Sequence, residues 1–424
     1  MHKIILPQLV WHGVRDLELA LPDAWQIEVC KMQGFSRPPL AIEGIQQAIR
    51  NPLGTPPLRQ LGQGKNQVVI IFDDIQRATR VAQILPVVLE ELALAGIRDD
   101  QIRFVAATGL HAAMNRFDFV SKLGEEVLHR FPVFNHNAFG CCVDAGITSF
   151  GTHLLVNAEV MSCDLKIAIG SVVPHAFAGF GGGAKIILPG ICHYDTVVDF
   201  HSLASRFQKE HPDMPIGTGI IENNLLRLNM EEAAAIVGLD FKIDTLMNGY
   251  AETVAVYAGS LKEAYPRALN DARRHYDTAS AAGCDVVIAN SFAKVAECES
   301  GLEIAFLAVN PKGGDVVLIG NAPDGHVAHY LAGPWGKENC SKLRMLCGLP
   351  PNVKRLIIYS EYPDLTIFGY FADPGKVIVV SKWNQVLNLL TDSHPGAVRC
   401  AVYPNADVQY CSSIRGTRVL SFQT

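Results

Sequence analysis

The residues of this chain whose types and spacing could do chemistry begin with the segment Gly170–Gly190, GSVVPHAFAGFGGGAKIILPG. It holds one lysine, Lys185, among the glycines at 179, 181, 182, 183 and 190, with His175 upstream. Glycine tolerates positive φ and a close approach of other groups to the backbone. A glycine-rich turn with a lysine can therefore cradle phosphate through N–H groups and an ammonium charge. It can equally be a plain turn with a solvated lysine, and glycine density does not separate the two. The segment is not a Walker A loop, because Ile186 and Ile187 follow Lys185 where Ser or Thr belongs. Nor is it a dinucleotide fingerprint, since no G-x-G-x-x-G opens a helix directly after a strand.

Four further positions carry weaker signals. His111 lies in Ala106-Ala-Thr-Gly-Leu-His111, just past an expected strand end, and His201 falls on an expected helix. His136 and Asn137 form a similar pair, and each of these histidines taken alone reads as a surface or packed residue. Asp73, Asp74, Arg77 and Arg80 follow the first strong strand, where such a cluster binds ribose or phosphate or simply starts a solvated helix. His111, His175 and His201 together could bind zinc, but they lack the close H-x-x-x-H spacing that makes such a site strong.

A site assembled from these residues needs elements that bring them together. Strand and helix signals alternate from about residue 67. Gln67–Phe72 is a continuous β-branched run suited to a strand buried on both faces. Val81, Ile84, Leu85, Val88, Leu89 and Leu92 then recur at helical spacing up to Gly96. Ile102–Ala107, Asp164–Ile169 and Phe241–Met247 read as strands, Asp118–Arg130 and Glu222–Val237 as helices. The long stretch Leu261–Ala282 reads as a helical connector. A second series of strands follows at Asp285–Ala289, Asp315–Ile319, Arg355–Tyr359, Val377–Val380 and Arg399–Tyr403. Pro38–Gly64 reads as a long surface loop with one short helix. The rhythm predicts two α/β domains with largely parallel sheets, with the active site in the cleft between them. Residues 1–270 form the expected cofactor-binding and catalytic domain. Residues 271–424 form a smaller α/β domain, with a tail that can return to the first. Ligands in such folds lie at the carboxyl ends of strands, where Asp73–Arg80 and Thr108–Met114 stand.

Composition narrows the function classes. With 424 residues the chain has room for two or three domains and a cleft. Its 49% hydrophobic and 18% charged residues describe an ordered globular protein. A net charge of −6 gives no basic footprint, which argues against nucleic acid and acidic membrane surfaces as partners. No apolar run approaches the roughly 18 residues of a membrane span. The opening MHKIILPQLVWHG, broken by Pro7 and His12, reads as a first strand and not as a secretory signal. The 11 cysteines show no paired spacing, and Cys141 and Cys142 are adjacent, so they read as reduced thiols. A cytoplasmic enzyme is expected. Its oligomeric state is not legible.

Taken together, the pieces resemble the nickel-dependent lactate racemase family. The matches are Asn51-Pro-Leu-Gly54, Asp74-x-x-Arg77, Thr108-Gly-x-His111 and Pro174-His-x-Phe-Ala-Gly-Phe-x-Gly-Gly183. They continue through Lys185, His201, Asn224 and the Met230-Glu-Glu-Ala-Ala stretch. Order and spacing follow the family over roughly residues 45–260 and more weakly to 325. The resemblance implies a racemase or epimerase acting at C2 of a 2-hydroxy acid. It also implies a nickel-pincer nucleotide, a pyridinium-3,5-bisthiocarboxylic acid mononucleotide, made by accessory enzymes and linked covalently to Lys185. His201 would be the nitrogen ligand to nickel, which accepts imidazole beside soft sulfur donors. Asp74, Arg77, Gly179, Gly182 and Gly183 would hold the nucleotide. In the family's route a hydride leaves C2 for the cofactor ring and returns to the other face. His111 and His175 match the two bases that move the hydroxyl proton, a task suited to a side chain with pKa ~6.5. The cofactor carries the hard step and the protein orients it.

The resemblance weakens at the substrate. The family's lactate enzymes hold the carboxylate with a glutamine and, three residues later, a lysine. With Pro311-Lys-Gly-Gly314 as anchor, Glu297 and Ser300 fall at those positions here. Lys294 can serve instead if the local register slips, or can be a solvated surface lysine. Ala184 stands where a basic residue often precedes the anchoring lysine, and Gln76-Arg-Ala78 lacks the usual proline. A site that loses its cation and gains an acid does not hold lactate in the same way. A larger or aromatic 2-hydroxy acid, a hydroxy diacid or a sugar acid is therefore expected as substrate. Two other readings compete: a zinc hydrolase using the same histidines, and a non-catalytic nucleotide-binding relative.

Overall fold

A computed structural model describes residues 1–210, 216–326, 346–414 and 421–423. The chain divides into two compact units, one of residues 37–248 and 252–273, the other of residues 1–36, 249–251 and 274–424. Mixed α/β structure with largely parallel sheets is found in both.

The first unit is built on a six-stranded sheet in the order Thr253–Gly259, Phe241–Met247, Leu165–Ser171, Val68–Asp73, Ile102–Ala107, Val133–Asn135. All neighbours are parallel except the pair Phe241–Met247 and Thr253–Gly259. Val68–Phe72 are fully buried on both faces, as their unbroken apolar run requires. Helix Val81–Leu94 covers one face through Val81, Ile84, Leu85, Val88 and Leu92. The expected helix Asp118–Arg130 is two, Arg116–Leu123 and Glu125–Arg130, broken at Gly124 with φ +88°. Asn115 starts the first of them by accepting from the N–H groups of Phe117 and Asp118, an N-cap worth about 1 kcal/mol.

The second unit is built on another six-stranded sheet, ordered Val377–Val380, Val353–Tyr359, Gly314–Ile319, Val286–Asn290, Val398–Tyr403, Trp25–Val29, parallel throughout. Its last strand comes from the start of the chain. Trp25–Val29 pairs with Val398–Val402, so residues 1–36 fold with the C-terminal part and the boundary is not the single cut near residue 270 read from the sequence. The helix expected over Leu261–Ala282 stops at His275.

Among the described residues no helix is long and apolar enough to cross a membrane. The ten described cysteines are all free.

Candidate active site

In the first sheet, the strands after Val68–Asp73 step outward on one side as Ile102–Ala107 and Val133–Asn135. Leu165–Ser171 and Phe241–Met247 then follow on the other side. The order reverses between Val68–Asp73 and Leu165–Ser171, and at such a switch the loops leaving the carboxyl ends diverge and open a crevice. The loops that leave there are Asp74–Arg80, Thr108–Met114 and Val172–Gly190. They carry the residues singled out in the sequence.

The first loop is held from below by a lysine that the sequence gave no reason to notice. Lys122, fully buried on Arg116–Leu123, puts its Nζ 2.8 Å from Asp73 Oδ1. It also donates to the Asp74 carbonyl at 2.9 Å and the Arg77 carbonyl at 2.6 Å. Burial pulls this ammonium below the usual lysine range, while the Asp73 charge works to keep it protonated. Thr79 donates its hydroxyl to the other Asp73 oxygen. So fixed, the loop presents Asp74, whose Oδ2 lies 2.6 Å from His111 Nδ1 and whose Oδ1 accepts from the Gln76 N–H at 3.0 Å. Asp74 is buried, with both oxygens engaged inside the protein. The resemblance implies a cofactor holder here; in the fold its carboxylate faces His111 and the Gln76 N–H. Arg77, half-buried on the same loop, contacts the Gln76 carbonyl at 2.8 Å.

His111 itself is carried by a turn closed by its N–H on the Thr108 carbonyl at 2.9 Å, with Gly109 at φ +53°. The Gly109 N–H donates to the Gly190 carbonyl at 2.9 Å, which docks the His111 loop onto the end of the lysine segment.

Lys185 sits on a short 3-10 turn, Gly183–Ile186, half-buried. The glycines before it serve the packing of the turn. A Cβ on Gly182 would lie 2.7 Å from Asp244 Oδ1, and one on Gly183 would lie 2.6 Å from the Tyr265 ring. At Gly179 it would meet the Ile220 carbonyl oxygen at 2.0 Å. All three have positive φ. The Gly181 N–H donates to Val173, Gly183 to both Asp244 oxygens and Lys185 to Gly182. The phosphate cradle considered for these N–H groups is therefore not formed at 181, 183 and 185. Buried Arg227 accounts for the other side of the turn, donating to the carbonyls of Ala178, Phe180 and Gly182 while stacking 4.8 Å from the Tyr265 ring. Asp244 pairs with Lys242 at 2.8 Å, both fully buried.

His201 lies on helix Tyr194–Glu210 and its Nδ1 faces the Val197 carbonyl at 2.8 Å. A carbonyl only accepts, so Nδ1 carries the proton and Nε2 keeps its lone pair. Burial, with a further contribution from the Lys185 charge, pushes this imidazole down to about 4 against the pull of the Val197 carbonyl. At neutral pH it is uncharged and ready to ligate a metal through Nε2. The Phe177 ring is 6.2 Å from the His201 ring and 6.2 Å from the His175 ring, so one aromatic side chain joins the two histidines. Asn224 fixes this loop, donating to the carbonyls of Phe177 and Ile220 at 2.9 Å each while capping helix Leu225–Val237.

His136 belongs to the interior. Its ring joins the Cys192 carbonyl at 2.9 Å and the Asn157 amide at 3.1 Å, and burial pushes its pKa down to about 4. Among the described residues no three His, Cys, Asp or Glu side chains group closely enough to hold a metal, so the three-histidine zinc arrangement is not formed there.

The second sheet has its own reversal, between Val286–Asn290 and Val398–Tyr403. The loop leaving Asn290 carries Lys294, Glu297 and Ser300. Buried Asp407, from the loop after Val398–Tyr403, accepts from the N–H groups of Phe292 at 2.9 Å and Lys294 at 2.5 Å. Lys294 is buried and its charge acts on Asp407, so the solvated surface lysine weighed from the sequence is not what forms. Glu297 and Glu299 lie near enough to Tyr370 to help burial raise that phenol's pKa. Ser300 keeps a buried hydroxyl with no hydrogen-bond partner among the described residues.

Fold and site thus define a doubly wound α/β protein with an Asp–His pair, a second histidine and a lysine on loops that leave one switch point. The lactate racemase N-terminal domain family matches residues 12–212. A lactate racemase of Lactiplantibacillus plantarum is 28% identical over 292 residues, 67% of this chain and 67% of that one. A lactate racemase of Thermoanaerobacterium thermosaccharolyticum is 28% identical over 290 residues, 66% of each chain. The lactate racemase apoprotein structure from Thermoanaerobacterium thermosaccharolyticum superposes with a TM-score of 0.71 at 22% identity, over 97% of this chain and 100% of that one. A Thermotoga maritima structural-genomics protein gives 0.62 at 18% identity, over 88% and 98%. Residues 12–212 thus match the lactate racemase N-terminal domain family, and the chain is an isomerase of the racemase kind.

Proposed function

We propose that this enzyme inverts C2 of a 2-hydroxy acid, with a nickel-pincer nucleotide tethered to Lys185 and His111 and His175 handling the hydroxyl proton. The observation that carries the reading is His201. Its ring is turned so that a bare Nε2 is available, it is kept neutral by burial, and it feels the charge of Lys185. A soft-donor nickel group anchored on that lysine fits such a neighbour. When bound, the group supplies a hydride acceptor and donor for C2. The chain's own residues do the rest. Lys185 anchors, His201 offers nitrogen, Arg77 supplies positive charge, and the His111–Asp74 pair takes and returns a proton.

The substrate we propose is not lactate. Glu297 and Ser300 stand where a glutamine and a lysine hold the carboxylate in the family's lactate enzymes, and Lys294 acts on Asp407. A larger, aromatic or polyhydroxylated 2-hydroxy acid suits these changes better. We place the enzyme in a reducing compartment, the cytoplasm, in keeping with its free thiols.

The test is intact mass and metal content of the chain produced together with cofactor-making accessory enzymes, followed by racemisation assays over a 2-hydroxy acid panel. One cofactor adduct and one nickel per chain are expected, and both are lost in Lys185→Ala. Zinc without an adduct, or turnover that survives Lys185→Ala, would overturn the reading.

A further inference from the structure

The two histidines assigned to the substrate proton are held by opposite partners. His111 Nδ1 lies 2.6 Å from Asp74 Oδ2, and an ionised carboxylate can only accept. The proton of a neutral His111 is therefore on Nδ1 and its Nε2 is a lone pair. His175 is the reverse. Its Nδ1 accepts from the N–H groups of Phe177 and Ala178, both at 3.2 Å, and two donors cannot face a third. The proton of a neutral His175 is on Nε2. Asn224 and Arg227 hold this loop in place by binding the carbonyls of Phe177 and Ala178. The backbone donors are therefore braced.

We propose that the two imidazoles are not interchangeable bases: His111 is the proton carrier, and His175 is a neutral N–H donor that polarises the substrate oxygen. This rests on the function proposed above and narrows it at one point: of the two histidines set at the hydroxyl proton, only His111 accepts it. The hydroxyl proton leaves the substrate oxygen for His111 Nε2 and comes back from it, while His175 gains and loses no proton. For His175 to act as a base through Nε2 it would need a proton on Nδ1, pointed at two N–H groups. A neutral imidazole donating its N–H to a developing carbonyl is a role histidine can fill. One consequence concerns the substrate. With one proton carrier, the keto acid keeps its oxygen between the two rings and turns about its C2–O axis, so carboxylate and side chain exchange places.

The tautomers can be read without cofactor, by nitrogen NMR of the whole chain labelled with 15N-histidine, using His111→Gln and His175→Gln to assign the two rings. The ring missing in His175→Gln is expected to show a bare Nδ1 and a protonated Nε2, and the ring missing in His111→Gln the opposite. Two rings in the same tautomer, or a His175 imidazolium at neutral pH, would overturn the proposal. In enzyme matured with its cofactor, His175→Gln keeps an N–H donor and is expected to stay within about tenfold of the parent. His111→Gln is expected to fall by the ~10²–10⁴-fold that proton transfer contributes. Equal losses in the two variants would refute the assignment of roles. A matured parent that turns over no 2-hydroxy acid would sink the proposed function and leave the NMR result standing.

Discussion

Replacing Lys122 with methionine keeps most of the side chain's shape and removes the ammonium that supports the Asp74–Arg77 loop. Three groups lose their donor: the Asp73 carboxylate, 2.8 Å away, and the carbonyls of Asp74 and Arg77. Removing one partner of a buried ion pair costs about 3–5 kcal/mol, and each stranded carbonyl adds about 1 kcal/mol. Three features reduce the sum. The Asp73 side chain is 14% exposed, so water reaches it in part, and Thr79 still donates to it. The desolvation that lowers the Lys122 pKa is also relieved. We expect a net loss of about 3–4 kcal/mol, which for a unit of this size lowers Tm by about 10 °C. Urea unfolding and thermal scans at pH 7 measure it. Adding Asp73→Asn is expected to recover a large share, because an uncharged amide tolerates the missing lysine. A Lys122→Met variant within about 1 kcal/mol of the parent would show that the loop is held by something else.

Two further outcomes follow from the same geometry. Gly183→Ala forces a side chain into φ +56° and within 2.6 Å of the Tyr265 ring, whereas Gly64→Ala meets the same backbone penalty at φ +73° in open space. The αL penalty is about 1–2 kcal/mol in both and overpacking adds about 1–3 at Gly183 only, so urea titrations should separate them by at least 1 kcal/mol. Indistinguishable stabilities would mean that the turn can move away from Tyr265. His136 predicts a pH effect. Its folded pKa of about 4 lies below the unfolded ~6.5, so the unfolded chain binds the extra proton as pH falls. The contribution is full above about pH 6.5 and is lost on descending toward pH 4, amounting to about 3 kcal/mol. Stability measured from pH 7 to pH 4 should flatten in His136→Asn, and an unchanged slope would contradict it.

The sequence determined the parallel α/β architecture and the list of reactive residues. Its unbroken apolar runs are the buried strands, and Ile102–Ala107, Phe241–Met247 and Val377–Val380 appear with the bounds read from the pattern. Periodicity reports burial, and burial in a parallel sheet depends on local sequence, which is why these elements were legible. Pairing of Trp25–Val29 with Val398–Tyr403 was not, since nothing local says which distant strand a segment will join. The split of the 116–130 helix at Gly124 was missed for another reason: the apolar spacing continues through it.

The site divides in the same way. His111, His175, Lys185 and His201 could be named as a set from the motifs that carry the family resemblance. What each does was decided by partners far away in the chain. Asp74 faces inward on a loop that Lys122 pins, and a Cβ at 182 or 183 would run into Asp244 or Tyr265. Lys122 and Arg227 look like ordinary surface charges on amphipathic helices, and only the tertiary fold buries them among carbonyls. Lys242 and Asp244 gave one faint sign, two opposite charges on the same face of an apolar strand. A proton's place on an imidazole depends on whether its neighbour donates or accepts, and that neighbour is chosen by the fold.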